Sequence, residues 1–144
     1  MYLEADRLLH TDEEPPLGAH LITPRRGFLH HGIYVGACKV IHYAGLSQGL
    51  RRGPVEEVSL ARFARGHSVW VRQHASSAFD LLEVVRRARS RLGENGYRLL
   101  TNNCEHFCEW CLRGVPRSLQ VEELGAPVRA MLTLLRRTAV APHP

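Results

Sequence analysis

Four cysteines and nine histidines carry most of the reactive chemistry in this chain. Cys104, Cys108 and Cys111 fall at i, i+4 and i+7 of a helix expected over Cys104–Arg113, so steps of about 100° per residue put all three thiols on one stripe. The interior positions 108 and 111 read as small core residues facing a sheet. Cys104 differs because Asn102-Asn103 precedes it as a helix cap. A thiol in the first turn meets unpaired backbone N–H groups and about half a unit of positive charge, both of which favour the thiolate over a thiol of pKa ~8.5. The same N–H groups at Asn103-Cys104 would hold an oxyanion formed by acyl chemistry at the sulfur. Cys104 is thus the expected nucleophile, needing a histidine base from the first half of the chain.

Two histidines are placed for that partnership. Phe28–Val35 and Val40–Tyr43 alternate as strands around a turn at Gly36–Lys39, which makes a hairpin. His30 and His42 lie on its two arms, and their even separation keeps both side chains on one face in the absence of a bulge. Such a pair, in a sheet packed on the Cys104 helix start, supplies a base and a group that orients it. His31 has the opposite parity and is expected to point away. A metal site built from Cys104, His106, Cys108 and Cys111 fails on reach, because the three thiols span about 10 Å along the helix. No metal or other cofactor is expected.

These residues need a scaffold, and 144 residues (16.3 kDa) form one domain large enough for its own core. Residues 1–16 read as an arm, and Leu17–Thr23 as a strand stopped by Pro24. Leu46–Pro54 is a loop, Val55–Phe63 a strand with a helical turn, and His67–Gln73 a further strand. A helix capped by Ser76 or Ser77 runs to Leu92 and stops at Gly93. The Cys104 helix stops at Gly114, two residues before Pro116. Residues 117–144 form an extension with an amphipathic helix over Val128–Thr138, whose apolar stripe is Val128, Met131, Leu132 and Leu135. Strands first and helices later indicate an α+β fold with an antiparallel sheet.

Composition narrows the function classes. A hydrophobic fraction of 44% and a charged fraction of 23% suit a globular protein. No apolar run approaches the ~20 residues of a membrane span. The polar, acidic first sixteen residues do not read as an export signal, so a cytoplasmic protein is expected, and with it free thiols rather than disulfides. The net charge is +5, and 18 of the 19 basic residues are Arg, only Lys39 being Lys. The Arg clusters suit either solvated surface or contact with lipid headgroups. No aromatic interleaving or nucleic-acid motif accompanies them, so nucleic acid is not an expected partner.

The string His30-His31-Gly32-Ile33-Tyr34-Val35-Gly36, then Val40-Ile41-His42, then Asn103-Cys104-Glu105-His106-Phe107, resembles the lecithin:retinol acyltransferase (LRAT) domain family, over roughly residues 17–116. The resemblance implies a circularly permuted papain-like (NlpC-type) fold, of the kind found in bacterial members. It implies a bacterial-type member of that family, in which Cys104 is the nucleophile, His30 its general base, and His42 the residue that orients His30, and it selects His30 over His31. It implies a thiol acyltransferase or phospholipase-type hydrolase that moves an acyl group from a glycerophospholipid, through a Cys104 thioester, to water or an amine. Peripheral contact with a membrane surface would follow, and the Arg-flanked C-terminal helix suits it. The insert that shapes the retinoid enzyme is not recognisable, and Ala19 stands where relatives often carry an acidic residue. Two other classes stay open: a cysteine peptidase or amidase of the NlpC type, and a non-catalytic interaction module. The acyl acceptor, chain-length preference and oligomeric state are not encoded in any motif.

Overall fold

A computed structural model describes residues 6–45, 52–73, 79–98 and 102–115. Among these residues six strands form one antiparallel sheet: β1 (Asp6–Leu8), β2 (His20–Arg25), β3 (Phe28–Gly36), β4 (Lys39–Gly45), β5 (Gly53–Ser59) and β6 (Trp70–Arg72). Their spatial order is β1-β6-β2-β3-β4-β5. Among the described residues three helices, α1 (Leu60–Ala64), α2 (Leu81–Ser90) and α3 (Cys104–Arg113), accompany the sheet in an α+β arrangement.

The β3–β4 hairpin forms with a two-residue loop, Ala37-Cys38, both residues at positive φ (51° and 57°). That is the backbone a tight antiparallel hairpin demands, here met without the usual Asn-Gly pair. Val and Ile alternate through β3 and β4 and split the sheet into two cores. One face carries Ile33, Val35, Ile41 and Tyr43, packed on Phe107, Cys108 and Cys111 of α3 and Val84 and Ala88 of α2. The other carries Tyr34, Val40 and Leu21 against Phe63 of α1. Gly32 lies on this second face, where a β-carbon would meet Val40 at 2.6 Å and Phe63 at 2.8 Å. The close seating of Phe63 on β3 therefore requires glycine.

Several elements differ from the sequence reading. Asp6–Leu8, expected in the arm, pair with β6 as an edge strand. β2 runs through Pro24, which pairs with Leu29, because β6 covers β2 only as far as Ile22 and leaves Pro24 on a bare edge. Gly53 and Pro54 belong to β5 rather than to a loop, again at a sheet edge. β6 is shorter than His67–Gln73. The cap of α2 is Asp80, whose carboxylate accepts from the N–H of Glu83, so that helix begins several residues later than a Ser76 or Ser77 cap would start it. Ser76, Ser77, Leu46–Arg51 and the helix expected over Val128–Thr138 lie outside the described residues.

The Arg cluster of α2 is occupied within the molecule. Arg87 stacks on Trp110 (3.8 Å) and Phe79 (4.3 Å), and donates to the Trp110 carbonyl. Arg91 stacks on Trp110 and Phe107 and pairs with Glu94, while Arg86 pairs with Glu83 and Arg89 with Glu57. Arg87 and Arg91 clamp α2 onto α3 through cation–π contact, while Arg89 ties α2 to β5 and Arg86 pairs within α2. Among the described residues no helix is long and apolar enough to cross a membrane.

Candidate active site

Helix α3 begins as expected. Asn103 is the cap: its Oδ1 accepts from the His106 N–H at 2.9 Å, and its own N–H donates to His106 Nδ1 at 3.2 Å. This reciprocal box fixes the first turn and occupies His106, a residue the metal hypothesis had drawn on. The helix ends at Gly114 in the left-handed conformation. Cys104, Cys108 and Cys111 are all buried on the sheet-facing stripe, while Cys38 is exposed at the hairpin tip.

Cys104 meets β3 at its backbone. Tyr34 N–H donates to Ala19 O, so even-numbered residues of β3 bond β2 and odd-numbered ones turn their N–H and C=O towards β4. The β3–β4 pairing begins only at Gly32–His42, however, and Tyr43 to Gly45 continue with β5. This leaves a gap beside Leu29 and His31. The Cys104 sulfur enters it, 3.9 Å from Leu29 O, with the N–H of His31 directed to it. The thiol thus rests against the peptide groups on either side of His30, between the two faces of the sheet.

The electrostatics of Cys104 differ from the sequence expectation of a resting thiolate. The N–H groups of His31, Glu105 and Cys104 itself do favour the anion, but burial disfavours it more strongly and pushes the thiol up to about 12. A cysteine only 2% exposed loses more hydration than one helix end returns. The resting protein therefore holds a neutral thiol.

The two predicted histidines do share a face, but not by parity in an unbroken hairpin: the register shifts between Tyr34 and Gly36, so His42 faces Gly32 rather than Ile33, and this irregularity puts it on the His30 side. His30 Nε2 and His42 Nδ1 are hydrogen-bonded at 2.6 Å, under the ring of Phe63. Glu56, directly across from His42 on β5, is 2.9 Å from His42 Nε2. His30 Nδ1 is buried and makes no hydrogen bond among the described residues. The face itself differs from expectation: the pair lies on the α1 side, whereas the body of α3 packs on the other. Only the Cys104 thiol, through the gap, comes to the backbone beside His30.

His31 does not point into solvent. It is fully buried on the α3 side, its Nδ1 hydrogen-bonded to His20 Nε2 at 2.7 Å. Close by, Arg72 bridges buried Glu105 of α3 (3.0 Å) and Asp6 of β1 (3.3 Å), tying the sheet edge to the helix start. The sequence reading missed Glu56, His20 and Arg72. Only Glu56 left a trace there, as one of two adjacent carboxylates in the middle of a short strand. Its pairing with His42 depends on the register of β5, which no local pattern sets.

The buried histidines give the fold a defined acid limit. Burial holds His30 well below its ordinary value, with His42, Arg25, His31 and Arg65 adding to the effect. Burial also lowers His31 to about 4, although Glu105 opposes it, and lowers His42, although Glu56 opposes it. Each folded value lies below the unfolded ~6.5, so the unfolded chain binds more protons in that window. Stability is then complete above pH ~6.5 and declines as pH falls towards 4, by about 1.4 kcal/mol per unit for each histidine inside its window. Urea denaturation midpoints at pH 7, 5.5 and 4.5 should fall steadily. A midpoint flat across that range would contradict the neutral, buried assignment.

Comparison with known proteins agrees with this geometry. Residues 13–117 match the family model for lecithin retinol acyltransferase. The chain is 32% identical to the human lecithin retinol acyltransferase over 143 residues, covering 80% of this chain and 62% of that protein. The rat protein matches to the same extent. A human phospholipase A and acyltransferase 2 is 31% identical over 123 residues, covering 74% of this chain and 76% of that protein. The chain belongs to the lecithin retinol acyltransferase family. It spans about three-fifths of the length of the lecithin retinol acyltransferases it matches.

Proposed function

We propose that this protein is a cysteine-dependent acyltransferase or lipase that takes an acyl group from a glycerophospholipid onto Cys104. The observation that carries the reading is a buried thiol at a helix start, lying against the backbone of a histidine whose buried Nδ1 has no hydrogen-bond partner among the described residues. The names of the relatives, which combine lecithin, phospholipase A and acyltransferase, support the donor class.

The cycle runs in two halves. An ester carbonyl enters the gap, His30 Nδ1 takes the Cys104 proton, and the sulfur bonds the carbonyl carbon. Because the thiol is neutral at rest, proton removal accompanies attack rather than preceding it. The N–H groups of Cys104, Glu105 and His31 hold the oxyanion. Collapse breaks the carbon–oxygen ester bond, and His30 passes its proton to the departing lysophospholipid oxygen. Water or an amine then attacks the thioester, with His30 taking its proton and returning one to the sulfur. His42 holds the His30 ring through Nε2.

Purified protein incubated with dispersed phosphatidylcholine should release lysophospholipid and show one acyl increment by intact mass, mapped to Cys104. Turnover of a γ-glutamyl or cell-wall peptide, with no acyl adduct from phospholipid, would instead identify an amidase.

A further inference from the structure

We propose that Glu56 is a positioning residue that sets the proton arrangement along Glu56–His42–His30, leaving His30 Nδ1 as the nitrogen with the free lone pair. This deepens the reading of His30 as the base and rests on it. The inference comes from what each partner is able to donate or accept. Glu56 Oε2 lies 2.9 Å from His42 Nε2. A carboxylate accepts only, so His42 carries its proton on Nε2. A neutral imidazole has a single N–H, so His42 Nδ1 is an acceptor. The group 2.6 Å from it, His30 Nε2, must then be the donor. His30 is left with an unprotonated Nδ1, the buried ring atom that has no hydrogen bond. A lone pair with no donor is also the least costly form in which to leave that atom buried.

The surroundings support one direction of this chain. Burial keeps both histidines neutral, and the hydrogen bond from His42 holds the Glu56 carboxyl below its ordinary value and therefore ionised. The other charged groups that act on the pair, Arg25, Arg62 and Arg65, are donors and cannot compete for the His42 proton. His31, which also acts on His30, is turned to the opposite face and bonded to His20. Register provides the alignment: His42 faces Glu56 on β5 and Gly32 on β3. Gly32 contributes no side chain there, so His30, one diagonal step away, closes on His42 instead.

The test reads tautomers and turnover separately, in the full chain. In ¹⁵N spectra of the wild-type protein, His30 and His42 should both be protonated on Nε2. Glu56→Lys places a donor-only group opposite His42, and should invert the chain so that both rings carry their proton on Nδ1. Hydrolysis of p-nitrophenyl butyrate should then lose kcat towards the ~10⁴-fold cost of a base held in the wrong tautomer, with KM little changed. Glu56→Gln is nearly isosteric and accepts through its carbonyl, so it should retain more activity, falling about 10- to 100-fold. A wild-type His30 protonated on Nδ1, or tautomers unchanged in Glu56→Lys, would overturn the proposal. The active-site reading fails separately: if Cys104→Ala keeps hydrolysing the ester, the base and nucleophile are wrong, while the spectra still decide what Glu56 does.

Discussion

Cys104→Ala should abolish both phospholipid turnover and the acyl adduct, and should leave the fold intact. Removing the attacking atom leaves no alternative route, because the other three thiols stand elsewhere. Cys108 and Cys111 lie one and two turns further along α3, inside the core formed with Ile33, Ile41 and Tyr43. Burial raises Cys108 well above the ordinary range and Cys111 to about 12, and neither stands at the helix N-terminus. Cys108→Ala and Cys111→Ala should therefore keep the adduct and lose about 1 kcal/mol of stability, the usual scale for a small core deletion. Cys38 is exposed at the hairpin tip, and Cys38→Ser should change nothing in turnover. Intact-mass analysis after phospholipid incubation separates these cases. An adduct that persists in Cys104→Ala and vanishes in Cys108→Ala would overturn the assignment.

The state of the thiol adds a second signature to the same experiment. With Cys104 held near 12 by burial, iodoacetamide at neutral pH should modify Cys38 first. Alkylation of Cys104 should be slow and should accelerate as pH rises, because the thiolate is the reacting species. Rapid, pH-independent alkylation of Cys104 at pH 7 would mean a preformed thiolate, and proton removal would then precede attack.

Local signals made α3 fully legible from sequence. Asn103 before it, Gly114 after it and three cysteines at helical spacing determine its bounds and its buried stripe without tertiary information. The β3–β4 hairpin was legible as a pair of alternating strands, and alternation within β3 turns His31 away from His30. That His30 and His42 meet was not legible, because it depends on the register shift between Tyr34 and Gly36, where an unbroken ladder would have set His42 opposite Ile33. Parity relates residues within a sheet, however, and says nothing about which face a distant helix covers. The expectation that α3 packs on the histidine face therefore failed, while the thiol still reached β3 through a gap made by the divergence of β4. Glu56 illustrates the same limit, because its meeting with His42 depends on how β5 registers against β4 across a connection. The thiolate expectation failed on a balance of magnitudes. A helix start contributes a fraction of a charge, whereas complete burial removes an entire hydration shell.

His30→Ala should cost about 10²–10⁴-fold in kcat, the range for losing a general base, with its stability cost tempered by relief of a buried nitrogen that has no partner. His42→Gln should be milder. Its amide oxygen still accepts from His30 Nε2, although the link to Glu56 is altered. His31→Ala provides the informative contrast. The sequence alone says only that this side chain points away from His30, and the structure shows its ring fully buried and bonded to His20. Truncation there should lower stability by about 1–3 kcal/mol, the cost of leaving a buried partner without its hydrogen bond. Turnover should survive, because alanine retains the backbone N–H that faces the Cys104 sulfur. Turnover numbers and urea midpoints measured on all three variants give opposite patterns for the two neighbouring residues: His30→Ala loses rate, and His31→Ala loses stability. If His31→Ala loses rate as severely as His30→Ala while both remain folded, the base lies on the α3 side of the sheet. The His20–His31 pair would then take the role assigned here to His42 and His30.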